Sequence, residues 1–239
     1  MEERNYFLKQ VGEVIIRKRR GSRRLSIRIN PSGEVRMVIP YTSSYSSAIQ
    51  FLESKRDWIL QTRARIRQDR PEKQIFTEDN LPRTRYHEFL ITRVNTQDLS
   101  FRLSPGLCEI LVPENFQVEG EVGQKWIKRA YTEALRREAK VFLVGRCAEL
   151  AKKNGFKIKD IKVKDMKTRW GSCSSRGNIN LNLHLMQLPE RLIDYVLFHE
   201  LVHTLHPNHS AAFWSELDKY VGDSRKLARE TRGWGKVLG

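Results

Sequence analysis

The chain has 239 residues, 39% apolar and 30% charged, enough ordinary globular material for one large domain or two small ones. Its longest apolar runs, "VFLV" (141–144) and "YVLF" (195–198), are far too short to span a bilayer, so no membrane partner is expected. Lysine plus arginine is 44 against 28 for aspartate plus glutamate, and the balance of +16 makes nucleic acid, held through a basic surface, a possible partner beside a merely solvated basic face.

The amino terminus, "MEERNYFLKQ", carries no basic stretch leading into an apolar one. The cysteines, Cys108, Cys147 and Cys173, form no even-numbered framework. Both features set the expectation of a cytoplasmic protein. Residues 13–40 alternate apolar and basic side chains, with turn signals at Arg20 and Gly21 and at "NPSG" (30–33), and read as β-hairpins. The basic run 17–24 is expected at an exposed hairpin tip, with phosphate tracking as the rival reading. A helix follows over about 46–68.

"RINPSGEVRMVIP" (28–40) and "RLSPGLCEILVP" (102–113) echo one another, each leading toward a helix with a Trp-Ile pair, Trp58-Ile59 and Trp126-Ile127. The polar, proline-containing stretch 67–85 lies between them and marks a boundary. The expected organisation is a β-rich region with its helix over 1–72, a second β-hairpin region over 73–119, and a catalytic domain over 120–239. From Gly120 the chain reads as one or two long helices stopped at Asn154 and Gly155. A strand-like segment (157–166) and a loop, "KTRWGSCSSRG" (167–177), come next. The strand "NINLNLHL" (178–185) points Ile179, Leu181, Leu183 and Leu185 one way and Asn178, Asn180, Asn182 and His184 the other. Ser210 is expected as the N-cap for 210–221, and Pro189, at a first helical position, opens the helix before it.

That helix contains His199-Glu200-Leu201-Val202-His203, an H-E-x-x-H sequence. Residues four apart lie about 40° apart around a helix and one turn apart along it, so both imidazoles can reach one ion. Glu200 is placed to lean toward an activated water as general base. A catalytic site of this kind takes three protein ligands and leaves a fourth position open. His206 would follow on the same helical face, but it precedes Pro207, which ends the helix. A turn there brings His209 back from another direction, which makes a better tetrahedron, so His209 is expected as third ligand. Glu216 and Glu230 are further rivals.

The run 169–214, "RWGSCSSRGNINLNLHLMQLPERLIDYVLFHELVHTLHPNHSAAFW", resembles the YgjP-like metallopeptidase family, a zincin-type group similar to SprT-like and WLM peptidases. "RRLSIRINPSGEVRMVIP" and "KRDWI" extend the resemblance toward the amino terminus. The resemblance implies an α+β fold: a zincin-like domain with a long helix, a small antiparallel or mixed sheet with an edge strand, and the H-E-x-x-H helix, preceded by a β-hairpin-rich region. It puts His199, His203 and His209 in the ligand positions of one Zn2+ per chain and Glu200 in the general-base position. The chain departs from metzincins, which carry glycine where His206 stands and a methionine turn downstream.

Zinc would acidify a water and polarise a substrate carbonyl while Glu200 takes and returns the proton, making a metallopeptidase acting on protein or peptide. The donor set alone does not choose among zinc, manganese, cobalt and nickel. The strand 178–185 matches the edge strand by which zincins hold an extended peptide, with Asn178, Asn180, Asn182 and His184 facing the cleft. The "WGSC" loop reads as a tight packed turn rather than a source of a Cys173 thiolate. Trp214 is expected under the metal helix, and Arg169 and Tyr220 are candidate partners for the oxyanion on proximity alone. The alternatives are a nucleic-acid-associated protein with a structural zinc, or a peptidase acting on nucleic-acid-bound proteins.

Overall fold

The computed structural model describes residues 3–30, 32–68 and 75–235, which divide into two compact units, Met1–Gln74 and Ile75–Gly239. The architecture is mixed α+β. No helix among the described residues is long and apolar enough to cross a membrane.

The first unit is a four-stranded sheet with two helices. Strands β1 (Glu3–Leu8), β2 (Gly12–Arg19), β3 (Ser26–Ile29) and β4 (Val35–Pro40) stand in the order β1-β2-β4-β3. Alternate residues Val14, Ile16, Val35, Met37 and Ile39 are buried against Ala48 of α1 (Tyr45–Ser54) and Ile59 of α2 (Arg56–Gln68). Ser44 caps α1, its hydroxyl accepting from the Ser47 N–H. The expected hairpin tip at 17–24 needs correction. β2 and β3 are not neighbours; β2 pairs in parallel with β4, and β3 pairs antiparallel with the other side of β4. The basic run therefore turns at Arg19–Ser22 but joins two strands that do not pair, so it is no hairpin tip, because the apolar alternation of β2 is satisfied by a strand further along the chain.

The second unit repeats the arrangement of β2, β4 and β3. β5 (Glu88–Val94) runs parallel to β7 (Leu107–Pro113), and β6 (Ser100–Ser104) pairs antiparallel with it, giving β5-β7-β6. The sequence echo thus falls on two hairpins, β3–β4 and β6–β7. Ile59 and Ile127, the isoleucines of the two Trp-Ile pairs, are both buried in their units.

One continuous helix follows, α3 (Glu121–Lys153), about 50 Å long at helical rise. Its end is set by Asn154 as cap and by Gly155 at φ 73°, a left-handed conformation that glycine adopts without a Cβ clash. Its first half packs with β7 through Ile127 and Ala130, and its second half, from Leu135 to Ala151, enters the largest core. That core also takes in a second sheet, β8 (Asp160–Lys164), β9 (Gly171–Cys173) and β10 (Asn178–Asn182), and three helices, α4 (Glu190–Val202), α5 (Ala211–Val221) and α6 (Ser224–Gly233). Pro189 stands one place before α4, and its carbonyl accepts from Leu192 and Ile193.

The sheet order is β8-β10-β9, with β10 parallel to β8 and antiparallel to β9. The segment expected at the edge is therefore the middle strand, with both sets of main-chain groups already paired. It also ends at Asn182: Leu183–Gln187 form a 3-10 turn, so His184 leaves the strand altogether. The free edge nearest α4 belongs to β9.

Candidate metal centre and catalytic cleft

The three histidines converge. Ring centroids of His199, His203 and His209 are 4.9, 4.9 and 4.8 Å apart, a nearly equilateral triangle, and one nitrogen from each lies within 4.8 Å of the others. His199 comes from the last turn of α4 and His203 caps it. The regular helix ends at Val202, three more residues, His203 to Leu205, continue as a turn, and Pro207 stops it. The chain then doubles back, so His209 arrives just before Ser210, the N-cap of α5, whose hydroxyl accepts from the Phe213 N–H. Phe213, fully buried, lies against all three rings at 4.9, 4.6 and 4.8 Å. Trp214, expected beneath the helix, instead flanks His209 at 5.8 Å and is capped by Arg225.

These donors fit a divalent ion. The Nε2 atoms of His199 and His209 are 3.0 Å apart, near the roughly 3.3 Å that two nitrogens subtend on a tetrahedral zinc. His203 Nδ1 lies 3.0 Å from the His206 carbonyl, which can only accept, so Nδ1 carries the proton and Nε2 keeps its lone pair. Burial, followed by the neighbouring His203 and His209, pushes the His199 pKa down to about 3. Burial also lowers that of His203. Neutral rings are what a metal requires.

The rivals are accounted for. His206 offers its carbonyl, not its ring. Glu216 is engaged by Lys219 and Tyr220, and Glu230 by Arg191. Tyr220 stacks on Phe198 with centroids 5.0 Å apart, and it lines no part of the cleft.

Glu200 is 5% exposed, and its Oε2 has no partner among the described residues. Burial raises its pKa to about 8, partly opposed by the charge of Arg169. Gly171 of β9 makes room for it. A Cβ there would sit 2.5 Å from Glu200 Oε1 and 2.7 Å from its Cγ. The "WGSC" segment is thus a strand whose glycine seats the carboxylate, not a turn. Cys173 faces the same cleft with its thiol pushed up to about 11 by burial and then by Glu200, the reverse of what a nucleophile needs.

The cleft has two lobes that share Arg169, Gly171, His199, Glu200 and His209. One, about 580 Å³, is walled by Trp170, Tyr195, Val196, Trp214 and Ala228. The other, about 490 Å³, adds Ser172, Cys173, His203 and Pro207. Asn178, Asn180, Asn182 and His184 line neither, because β9 stands between β10 and the cleft.

Asn178 and Asn180 bond to Ser174 and Ser172. His184 sits between Gln187 and Asp165. Asn182, fully buried, donates to the carbonyls of Met166 at 2.6 Å and Arg169 at 2.8 Å, tying down the loop that carries Arg169 and Trp170. Gly171, Phe213 and Asn182 in this role were missed. Only Gly171 had a sequence signal, its place in the "WGSC" segment.

No curated protein matches the chain. A solved structure, "Crystal structure of the metallopeptidase zymogen of Pyrococcus abyssi abylysin", is 24% identical over 42% of this chain and 90% of that one, with a TM-score of 0.30. The model of the family described as "YgjP-like, metallopeptidase domain" matches residues 23–232, most of the chain. The chain belongs to the YgjP-like metallopeptidase family and is accordingly a hydrolase of the metallopeptidase class.

Proposed function

We propose that the protein is a zinc-dependent peptidase of zincin-like design, in which His199, His203 and His209 hold one ion and Glu200 is the general base. The observation that carries the reading is the triangle of imidazoles with a buried, unpartnered carboxylate on the adjacent residue, facing an open cleft. A divalent ion held there supplies Lewis acidity toward a water and a carbonyl oxygen.

The remaining work belongs to the chain. Glu200 takes a proton from the attacking water and returns it to the leaving amine. Hydrogen bonding of β9 to β10 uses Trp170 and Ser174, as in Asn182 N–H to Trp170 C=O and Ser174 N–H to Asn178 C=O. Alternation then turns the main-chain groups of Gly171 and Cys173 outward. An extended substrate adds as a further strand along that edge, its scissile carbonyl beside Glu200. β9 takes the role expected of 178–185. Nucleic acid, the other partner suggested by the charge, rests on the +16 balance alone, and the reading keeps a polypeptide substrate.

Glu200→Gln tests the mechanism. On an unfolded protein such as casein it should lose at least about a thousandfold in kcat/KM while keeping its metal. Full activity of that variant rules out Glu200 as the base.

A further inference from the structure

The apolar lobe has a rim that the peptidase reading does not use. Lys167, Arg169 and Arg232 line it, and its one acidic lining residue is the buried Glu200. Among the described residues, none of these three side chains makes an ion pair or hydrogen bond. The lobe thus gathers three cations at its mouth, and the single acidic group among its lining residues lies buried beneath them.

The walls beneath them are aromatic and aliphatic, and Thr231, 5% exposed with its Oγ1 unpartnered, lines the same space. Such a cavity accepts an apolar or aromatic body and places a negative group at its mouth.

We infer that this lobe is a carboxylate-selecting subsite: it takes a large apolar residue of the substrate and, at its mouth, a carboxylate from a neighbouring glutamate or aspartate or from the peptide's own carboxyl terminus. The assignment rests on the peptidase reading for the location of the scissile bond. Because the lobe shares His199, His209 and Glu200 with the reacting centre, the selected residues stand directly beside that bond. Lys167 and Arg232, both exposed, act as specificity residues. Arg169 also faces Glu200 and is left unaltered in the test.

The full chain carrying Glu200→Gln, zinc-loaded so that it binds without turnover, is titrated by anisotropy with labelled heptapeptides of alanine. These differ only in a central Phe-Glu, Phe-Gln or Phe-Lys pair, each with a free or amidated carboxyl terminus. The expected result is a Kd about tenfold lower for Phe-Glu than for Phe-Lys at low salt, with Phe-Gln between. The double reversal Lys167→Glu with Arg232→Glu should abolish or invert that order, with zinc content unchanged. The neutral pair Lys167→Gln with Arg232→Gln should flatten it, and serves if the reversal folds poorly. A gain that follows the free terminus instead of the glutamate assigns the carboxylate to the chain end and supports the subsite.

Equal affinity for all peptides, no binding of any, or an order untouched by both double variants overturns the inference. So does displacement of the peptides by micromolar tripolyphosphate, which would make this a phosphate site. The native chain on the same peptides separates the two readings. Cleavage with no charge preference removes the subsite and leaves the peptidase. Charge-selective binding with no cleavage does the reverse.

Discussion

The α-carbon of Gly171 faces the carboxylate of Glu200 so closely that a Cβ on it would lie 2.5 Å from Oε1. β9 and α4 can approach this far only because one residue has no side chain, and the result is a buried carboxylate beside three imidazoles.

Gly171→Ala should therefore push Glu200 aside without touching a histidine. Since misplacement of a reacting group by about 1 Å can cost about a hundredfold, a loss of that order in kcat/KM is expected, with zinc content and circular dichroism unchanged. An active Gly171→Ala enzyme would show that Glu200 does not need this seat.

Asn182 is expected to matter for stability first. Replacing it by alanine leaves the carbonyls of Met166 and Arg169 without their donors, a loss of about 2 kcal/mol and a Tm lower by several degrees. Asn182→Asp should be worse, because a carboxylate would face two carbonyl oxygens. Urea denaturation of the three proteins checks the order; equal midpoints would refute it.

Cys173 should behave as an inert thiol. With its pKa raised to about 11, the thiolate at pH 7 is about one part in ten thousand. Alkylation by iodoacetamide should be slow there and quicken about tenfold for each pH unit toward 11. Cys173→Ser should keep both metal and activity. Fast labelling at neutral pH, or loss of metal in the serine variant, would restore the thiolate reading.

Phe213 packs against all three rings of the triangle. Phe213→Ala should cost about 3–5 kcal/mol and weaken metal retention, while Phe213→Leu, closer in volume, should lose less of both. Chelator-challenge rates alongside melting curves would measure the two effects; retention indifferent to either substitution would mean that the loop alone positions the histidines.

What the sequence disclosed was local. The i,i+4 spacing of His199 and His203, the stop at Pro207 and the return to His209 all follow from backbone rules acting over a few residues. The hairpins β3–β4 and β6–β7 were visible for the same reason. Alternation in 178–185 correctly separated Ile179 and Leu181, both buried, from Asn178 and Asn180, but put Asn182, which is buried as well, on the wrong side. Alternation reports which face is buried, however, and says nothing about how many neighbours a strand has. β9, three residues of Gly-Ser-Cys, carries no strand signature at all, so its position outside β10 stayed hidden. The expected hairpin tip at 17–24 failed similarly: the turn residues were present, but the partner of β2 lay beyond β3. The fit of Gly171 to Glu200 is purely a tertiary contact.

The choice of third ligand is the most exposed part of the account, and metal analysis of three proteins side by side tests it. After purification without chelator, the wild type and His206→Ala should each carry about one zinc per chain, since His206 supplies only its carbonyl. His209→Ala should carry far less. Zinc retained at full occupancy in His209→Ala, or lost in His206→Ala, would contradict the central claim.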